Sequence, residues 1–140
     1  MNIDLSGMTI GITGASRGIG RAIAERLATA GAGLALHYHR NREPVESLVK
    51  TLDAPSAVFQ ADLADPAACM RLFSEIERTF ERVDVWINNA GVALKSAIDR
   101  NADQWVLDWD MTMQVNLRAT GLLCKLAIQH FLGHGGGRII

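Results

Sequence analysis

Charge of either sign is scarce as a block. The 140 residues hold 14 Lys and Arg against 15 Asp and Glu, a net charge of −1, with no run of one sign. That balance excludes the basic footprint of a nucleic-acid binder and the polybasic stretch of an anionic-membrane binder. No apolar run approaches membrane-spanning length, and the opening MNIDLSG has no apolar signal core. Only two cysteines occur, Cys69 and Cys124. Both fall on apolar helical faces, which reads as buried free thiols in a reducing cytoplasm and not as a disulfide. Internal repeats, low-complexity segments and interdomain linkers are absent, and there is a single tyrosine, Tyr38. What remains is a chain 49% hydrophobic and 21% charged, the composition of a soluble globular protein of one ordinary domain, residues 1–140.

The pattern alternates strand and helix throughout. Thr9 to Thr13 reads as a strand with Gly11 inside it, where glycine marks a weak point or a close approach by another backbone. Ser16 is placed to cap a helix running to Ala30, with Ile19, Ile23, Leu27 and Ala30 as its stripe and Gly31 as its stop. Leu34 to Tyr38 is a second strand. Val45, Leu48, Val49 and Leu52 have helical spacing, with Pro44 in the first turn. Ala57 to Gln60 is a third strand. Asp65-Pro66 opens a helix whose stripe is Cys69, Leu72, Phe73, Ile76 and Phe80. Val83 to Asn88 is a fourth strand, followed by a loop from Gly91 to Ala102. A long helix is expected from Asp108 to Leu132, with Met113, Leu117, Thr120, Cys124, Ala127 and Phe131 on one face and further apolar residues around it. Ile139-Ile140 begins a fifth strand. Strands joined by single helices imply parallel pairing and right-handed crossovers, hence an α/β doubly wound sheet of Rossmann type, ordered 3-2-1-4-5.

Chemistry concentrates in two segments. TGASRGIG, Thr13 to Gly20, lies between the first strand and the first helix, where a phosphate-binding turn belongs. Gly14 allows the tight exit, Gly18 a close backbone approach to a pyrophosphate, and Gly20 close helix packing. The helix N-terminus then offers free N–H groups and partial positive charge. NNAG, Asn88 to Gly91, ends the fourth strand at the carboxyl edge, where ligands bind in such sheets. Taken alone, the first could be a tight strand-to-helix turn and the second an ordinary strand-terminating turn.

Together, these segments resemble the short-chain dehydrogenase/reductase family over essentially the whole chain, and more loosely its 3-oxoacyl-carrier-protein reductase branch. Thr13, Gly14, Ser16, Arg17, Gly18, Ile19 and Gly20 match the family's TGxxxGxG cofactor turn. Asp62, followed by Leu63, matches the acidic residue that contacts the adenine amino group. Asn89, Ala90 and Gly91 lie in the matching NNAG motif, and Asn116 in QVNLRAT matches the catalytic-tetrad asparagine of the long helix. The family's serine and Tyr-x-x-x-Lys have no counterpart in these residues: four positions after Tyr38 stands Arg42. The resemblance implies an oxidoreductase moving hydride between a nicotinamide cofactor and a small-molecule alcohol or carbonyl. It also implies a homodimer or homotetramer packed through the long helix. The expectation is an incomplete domain, cut in its fifth strand, inactive and poorly folded by itself. The alternative is a non-catalytic dinucleotide-binding or interaction fragment.

The segment HYHRNRE after the second strand has no acid before Glu43 and carries Arg40 and Arg42. With Arg17, these favour the 2′-phosphate of NADP(H), NAD(H) remaining possible. The other candidates read as structural. His37 and His39 could share a strand face, but a zinc site needs more ligands, and His130 and His134 lack recognisable spacing, so no metal is expected. Asp84 lies at the wrong end of its strand to pair functionally with Asp62. Trp105 and Trp109 read as core or interface residues.

Overall fold

The computed structural model describes residues 3–140. The elements run β1 (Thr9–Ile12), α1 (Gly18–Thr29), β2 (Gly33–Tyr38), α2 (Glu43–Val49), β3 (Ser56–Gln60), α3 (Pro66–Phe80) and β4 (Val85–Ile87). Then follow α4 (Ala102–Met113), a π-helical turn (Gln114–Ala119), α5 (Thr120–Gly133) and β5 (Arg138–Ile139). The five strands form one sheet in the order β3-β2-β1-β4-β5, every neighbouring pair parallel.

Alternation along the strands divides the interior into two apolar layers. Leu34, Leu36 and Tyr38 of β2, with Val85 and Ile87 of β4, pack with Ala24, Ala28, Val45 and Leu48 of α1 and α2. Ala35 and Trp86 face the other way, into Leu72, Phe73, Ile76, Leu123, Ala127 and Phe131 of α3 and α5. Trp86 is fully buried, its ring 5.1 Å from that of Phe73. Gly11 gives it room: a Cβ there would sit 2.5 Å from the indole. The close approach at this glycine is therefore by a side chain, not by another backbone.

Four helical expectations need correction. α1 begins at Gly18 with Arg17 as its N-cap and no side-chain cap bond. The turn continues through left-handed Gly18 (φ 55°), so Ser16 lies too early to cap. Its buried face is Gly20, Ala24 and Ala28, whereas Ile19 is 74% exposed. The helix lies so close to the sheet that only small residues fit beneath it. The long helix starts at Ala102, not Asp108, because Asn101 caps it through a 2.8 Å bond to the Gln104 amide. Its interior face also changes register: the π-turn offsets it, and the buried residues are Ala119, Leu123, Ala127, His130 and Phe131, with Leu117 exposed. α3 opens as expected, the Asp65 carboxylate accepting from the Ala67 amide ahead of Pro66.

Asp84 has a structural place. Its Oδ2 accepts from the Thr9 amide at 2.8 Å and its Oδ1 from Arg82 at 2.6 Å, tying the starts of β1 and β4 together. His130 does similar work beneath α5: Nε2 accepts from the Val83 amide at 2.9 Å, and Nδ1 lies 2.8 Å from Glu77. Cys69 is buried and Cys124 half-buried, both free. Burial pushes the Cys69 thiol pKa up. Trp105 and Trp109 are not core residues in this chain: they stack, 5.3 Å between ring centres, on the exposed face of α4.

Candidate functional site

The chain reverses its direction across the sheet between β1 and β4, and the carboxyl ends of these two strands bound a crevice of the kind that holds ligands in open α/β sheets. Both motif segments lie there. Thr13 follows β1 directly and joins them. Its Oγ1 accepts from the amides of Asn89 (3.0 Å) and Ala90 (2.9 Å), and the Asn89 side-chain amide donates back to the carbonyls of Thr13 (2.9 Å) and Gly14 (3.0 Å). Thr13 is buried, and among the described residues no buried side-chain polar atom lacks a partner.

The glycines follow from this geometry. Gly14 takes φ +65°, and a Cβ on it would lie 2.9 Å from Ala90 Cα. A Cβ on Gly20 would lie 2.3 Å from the Gly14 carbonyl oxygen and 2.4 Å from the Asn89 amide nitrogen. Gly18 faces open space instead. The N-terminal turn of α1 therefore opens outward with no capping side chain and no acidic residue in its first turn, an arrangement that favours an anion.

Asn88 faces away from the turn: its Oδ1 accepts from Trp86 Nε1 at 3.0 Å, and its amide lies 3.4 Å from Cys124 Sγ. Asn116 sits in the π-turn and pins the loop after β4. Its Oδ1 accepts from the Val92 amide (2.8 Å) and its Nδ2 donates to the Val92 carbonyl (2.7 Å). Gly91 passes close by, so that a Cβ on it would meet Asn116 Oδ1 at 3.4 Å. The Asp62 carboxylate is half exposed. It accepts from the Ala64 amide at 2.9 Å and stands 3.6 Å from His39 Nε2. Leu63 is buried in the core, its carbonyl facing the Cys69 thiol at 3.6 Å.

Arg17 and Arg40 are exposed and, among the described residues, form no ion pair. Arg42 is bound to Glu46 at 2.6 Å, and that bond raises its pKa. Tyr38 is buried in β2. His37, read from the sequence as structural, is packed within the fold with partners the sequence does not name. It is 2% exposed. Its Nδ1 accepts from the Gly14 amide at 3.1 Å and its Nε2 contacts the Ala61 carbonyl at 3.0 Å. Both ring nitrogens are thus engaged within the fold. Burial lowers its pKa to about 4, with repulsion from His39 adding to it and the Ala61 bond opposing it.

Comparison with known proteins agrees with this geometry. The family model described as short chain dehydrogenase matches residues 8–140. The 3β-hydroxysteroid dehydrogenase 1 of Eggerthella lenta is 33% identical over 132 residues, covering 92% of this chain and 49% of that protein. A 3-oxoacyl-[acyl-carrier-protein] reductase of Staphylococcus aureus is also 33% identical, covering 92% of this chain and 52% of the reductase. The crystal structure of a short chain dehydrogenase from Burkholderia cenocepacia in complex with NADP superposes with a TM-score of 0.81 at 35% identity, over 90% of this chain and 51% of that one. The chain spans about half the length of the curated relatives it matches. With its parallel 3-2-1-4-5 sheet and a glycine turn locked to NNAG, the chain belongs to the short-chain dehydrogenase/reductase family.

Proposed function

We propose that residues 1–140 form the dinucleotide-binding part of an NADP(H)-dependent oxidoreductase that interconverts an alcohol and a carbonyl on a small molecule. One observation carries this reading: the uncapped N-terminus of α1 opens onto free space at Gly18, directly above the junction of β1 and β4. Residues Gly14 to Gly20 would cradle a pyrophosphate with backbone N–H groups, and the exposed Ile19 would cover it. Arg17 and Arg40, uncommitted to any carboxylate of the described residues, would meet a 2′-phosphate. The half-exposed Asp62 would accept from an adenine amino group, and the main chain of Leu63 would flank it. Asn89, Ala90 and Gly91 would line the inner wall.

A cofactor bound there would donate hydride to the carbonyl or accept it from the alcohol. This chain's residues would hold and orient it. Asn116 fixes the loop after β4 against the π-turn, where it would order the proton path to the reacting carbonyl. Tyr38 is not placed to donate that proton, being buried in β2 with Arg42 paired to Glu46 four residues on. NADP in the Burkholderia complex supports the cofactor reading.

Fluorescence titration of the full-length protein with NADPH and NADH tests it. NADPH should bind roughly ten- to a hundredfold more tightly, the worth of one or two charge-assisted bonds to the extra phosphate. Equal or tighter NADH binding overturns the preference, and binding of neither overturns the reading.

A further inference from the structure

His37 joins two segments that meet nowhere else through a side chain of β2. On one side lies Gly14, in the glycine turn after β1; on the other lies Ala61, which leads into Asp62 after β3. A backbone N–H can only donate, so Nδ1 is the acceptor for Gly14. Nε2 therefore carries the proton and donates to the Ala61 carbonyl. A single neutral tautomer satisfies both bonds. The carbonyl of His37 also accepts from the Ala15 amide at 2.9 Å, so consecutive amides of the turn are anchored on one residue. The ring is almost wholly buried, and water has little access to replace either bond.

We propose that His37 is a positioning residue: it sets the spacing between the glycine turn and the Asp62 loop, and cofactor affinity depends on its Nδ1 acceptor. The proposal rests on the reading of these two segments as the cofactor's cradle. Without the acceptor, the partly buried Gly14 amide is left unpaired, and the turn relaxes away from the conformation that presents its N–H groups outward. His39, on the same strand's continuation, is the titratable neighbour that acts on the ring, and the Asp62 carboxylate faces His39. No carboxylate therefore replaces the Gly14 amide as the partner of Nδ1.

Three substitutions in the full-length protein separate the two bonds. Asparagine places Oδ1 where Nδ1 stands and keeps the acceptor for Gly14. Glutamine reaches the Nε2 position and can keep the bond to Ala61 alone. Leucine keeps neither. Dissociation constants for NADPH are measured by fluorescence, and hydrogen exchange of the Gly14 amide by NMR. H37N should bind within about threefold of wild type, while H37Q and H37L bind roughly tenfold more weakly, the loss expected for an unpaired, partly buried donor. Gly14 exchange should accelerate in H37Q and H37L but not in H37N. Should H37L not fold, the Asn and Gln pair decides. Wild-type affinity in H37Q or H37L overturns the proposal, as does an H37N protein that binds no better than H37Q or does not fold. A wild type that binds no NADPH while its Gly14 amide is protected overturns the cofactor reading beneath it. A wild type that binds NADPH with all three variants equal overturns the clamp alone.

Discussion

The side-chain amide of Asn89 donates to the carbonyl oxygens of both Thr13 and Gly14, at 2.9 and 3.0 Å, and so locks the end of β4 onto the start of the glycine turn. Both bonds use the same Nδ2, which an acceptor cannot imitate. Asn89→Asp presents a carboxylate oxygen to two carbonyls and exchanges attraction for repulsion. The variant is expected to lose about 1–3 kcal/mol of stability, the cost of unmade buried bonds. Urea denaturation of the full-length protein measures it, and a midpoint within error of wild type would show that the turn holds without this lock.

Two glycines on helices should respond to alanine in opposite directions. A Cβ on Gly20 meets the Gly14 carbonyl at 2.3 Å and the Asn89 amide at 2.4 Å, both fixed in place. Gly20→Ala must push α1 off the sheet, and overpacking of that kind costs about 1–3 kcal/mol. At Gly121, near the start of α5, an added Cβ meets nothing within 4 Å and the backbone is helical. Gly121→Ala should stabilise by about 0.5–1 kcal/mol through the entropy of the unfolded chain. Paired thermal melts test both signs.

Acid should weaken the fold through His37. Its pKa falls from the ordinary 6.5 to about 4 in the folded chain, so the unfolded state binds the proton first. Above pH 6.5 both states hold a neutral ring and His37 contributes no pH dependence. As pH falls from 6.5 to about 4 the unfolded state gains protons that the folded state refuses, and stability drops; below about 4 the loss levels off. The full loss is on the order of 3 kcal/mol, from about 1.36 kcal/mol per pKa unit. Stability measured against pH should be flatter in H37N across this window. Parallel curves for the two proteins would contradict the assignment.

What was legible in the sequence was local. Asp65-Pro66 announces α3 because cap and proline act within one turn, and the glycine turn is recognisable because its backbone demands are met by glycine alone. The α1 face was misread because periodicity favours large residues, whereas Gly20, Ala24 and Ala28 are buried for being small. The start of α4 is written in Asn101 and Gln104, a cap and its third residue, outside the apolar periodicity that marks the rest of the helix. The π-turn leaves no mark in the periodicity, since one shifted hydrogen-bond register rotates every later residue. The bonds of His37 leave no mark in the sequence: its partners lie 23 and 24 residues away and are backbone atoms.

Cofactor discrimination should reside in Arg17 and Arg40. Arg42 is held by Glu46, so its guanidinium is already partnered. Arg17→Ala and Arg40→Ala should each weaken NADPH binding by roughly tenfold or more and leave NADH within about twofold, because a charge-assisted bond contributes about 1.5–3 kcal/mol and NADH lacks the phosphate. Added salt should narrow the gap between cofactors, these side chains being exposed. Equal losses for both cofactors would place the arginines elsewhere.

The last expectation concerns the outer face of α4 and the turn beyond it. Trp105, Val106, Leu107, Trp109, Met111 and Leu117 are all at least 41% exposed, and none of α4 is buried. Exposed apolar groups this dense mark a surface that is covered in the assembled protein. A second copy of the chain is the expected occupant, in a dimer or tetramer packed through this helix. Burying one large side chain contributes about 1.5–3 kcal/mol, so the two stacked tryptophans carry a sizeable share of an ordinary association energy. Trp105→Glu with Trp109→Glu introduces two charges where the ring stack lies. Light scattering of the full-length protein at micromolar concentration should show an oligomer, and the double variant should shift it toward monomer. NADPH affinity should change little, because the pair lies on a helix that supplies no group to the glycine turn. A wild-type protein that is already monomeric, or a double variant with unchanged mass, would show that this face is not where subunits meet.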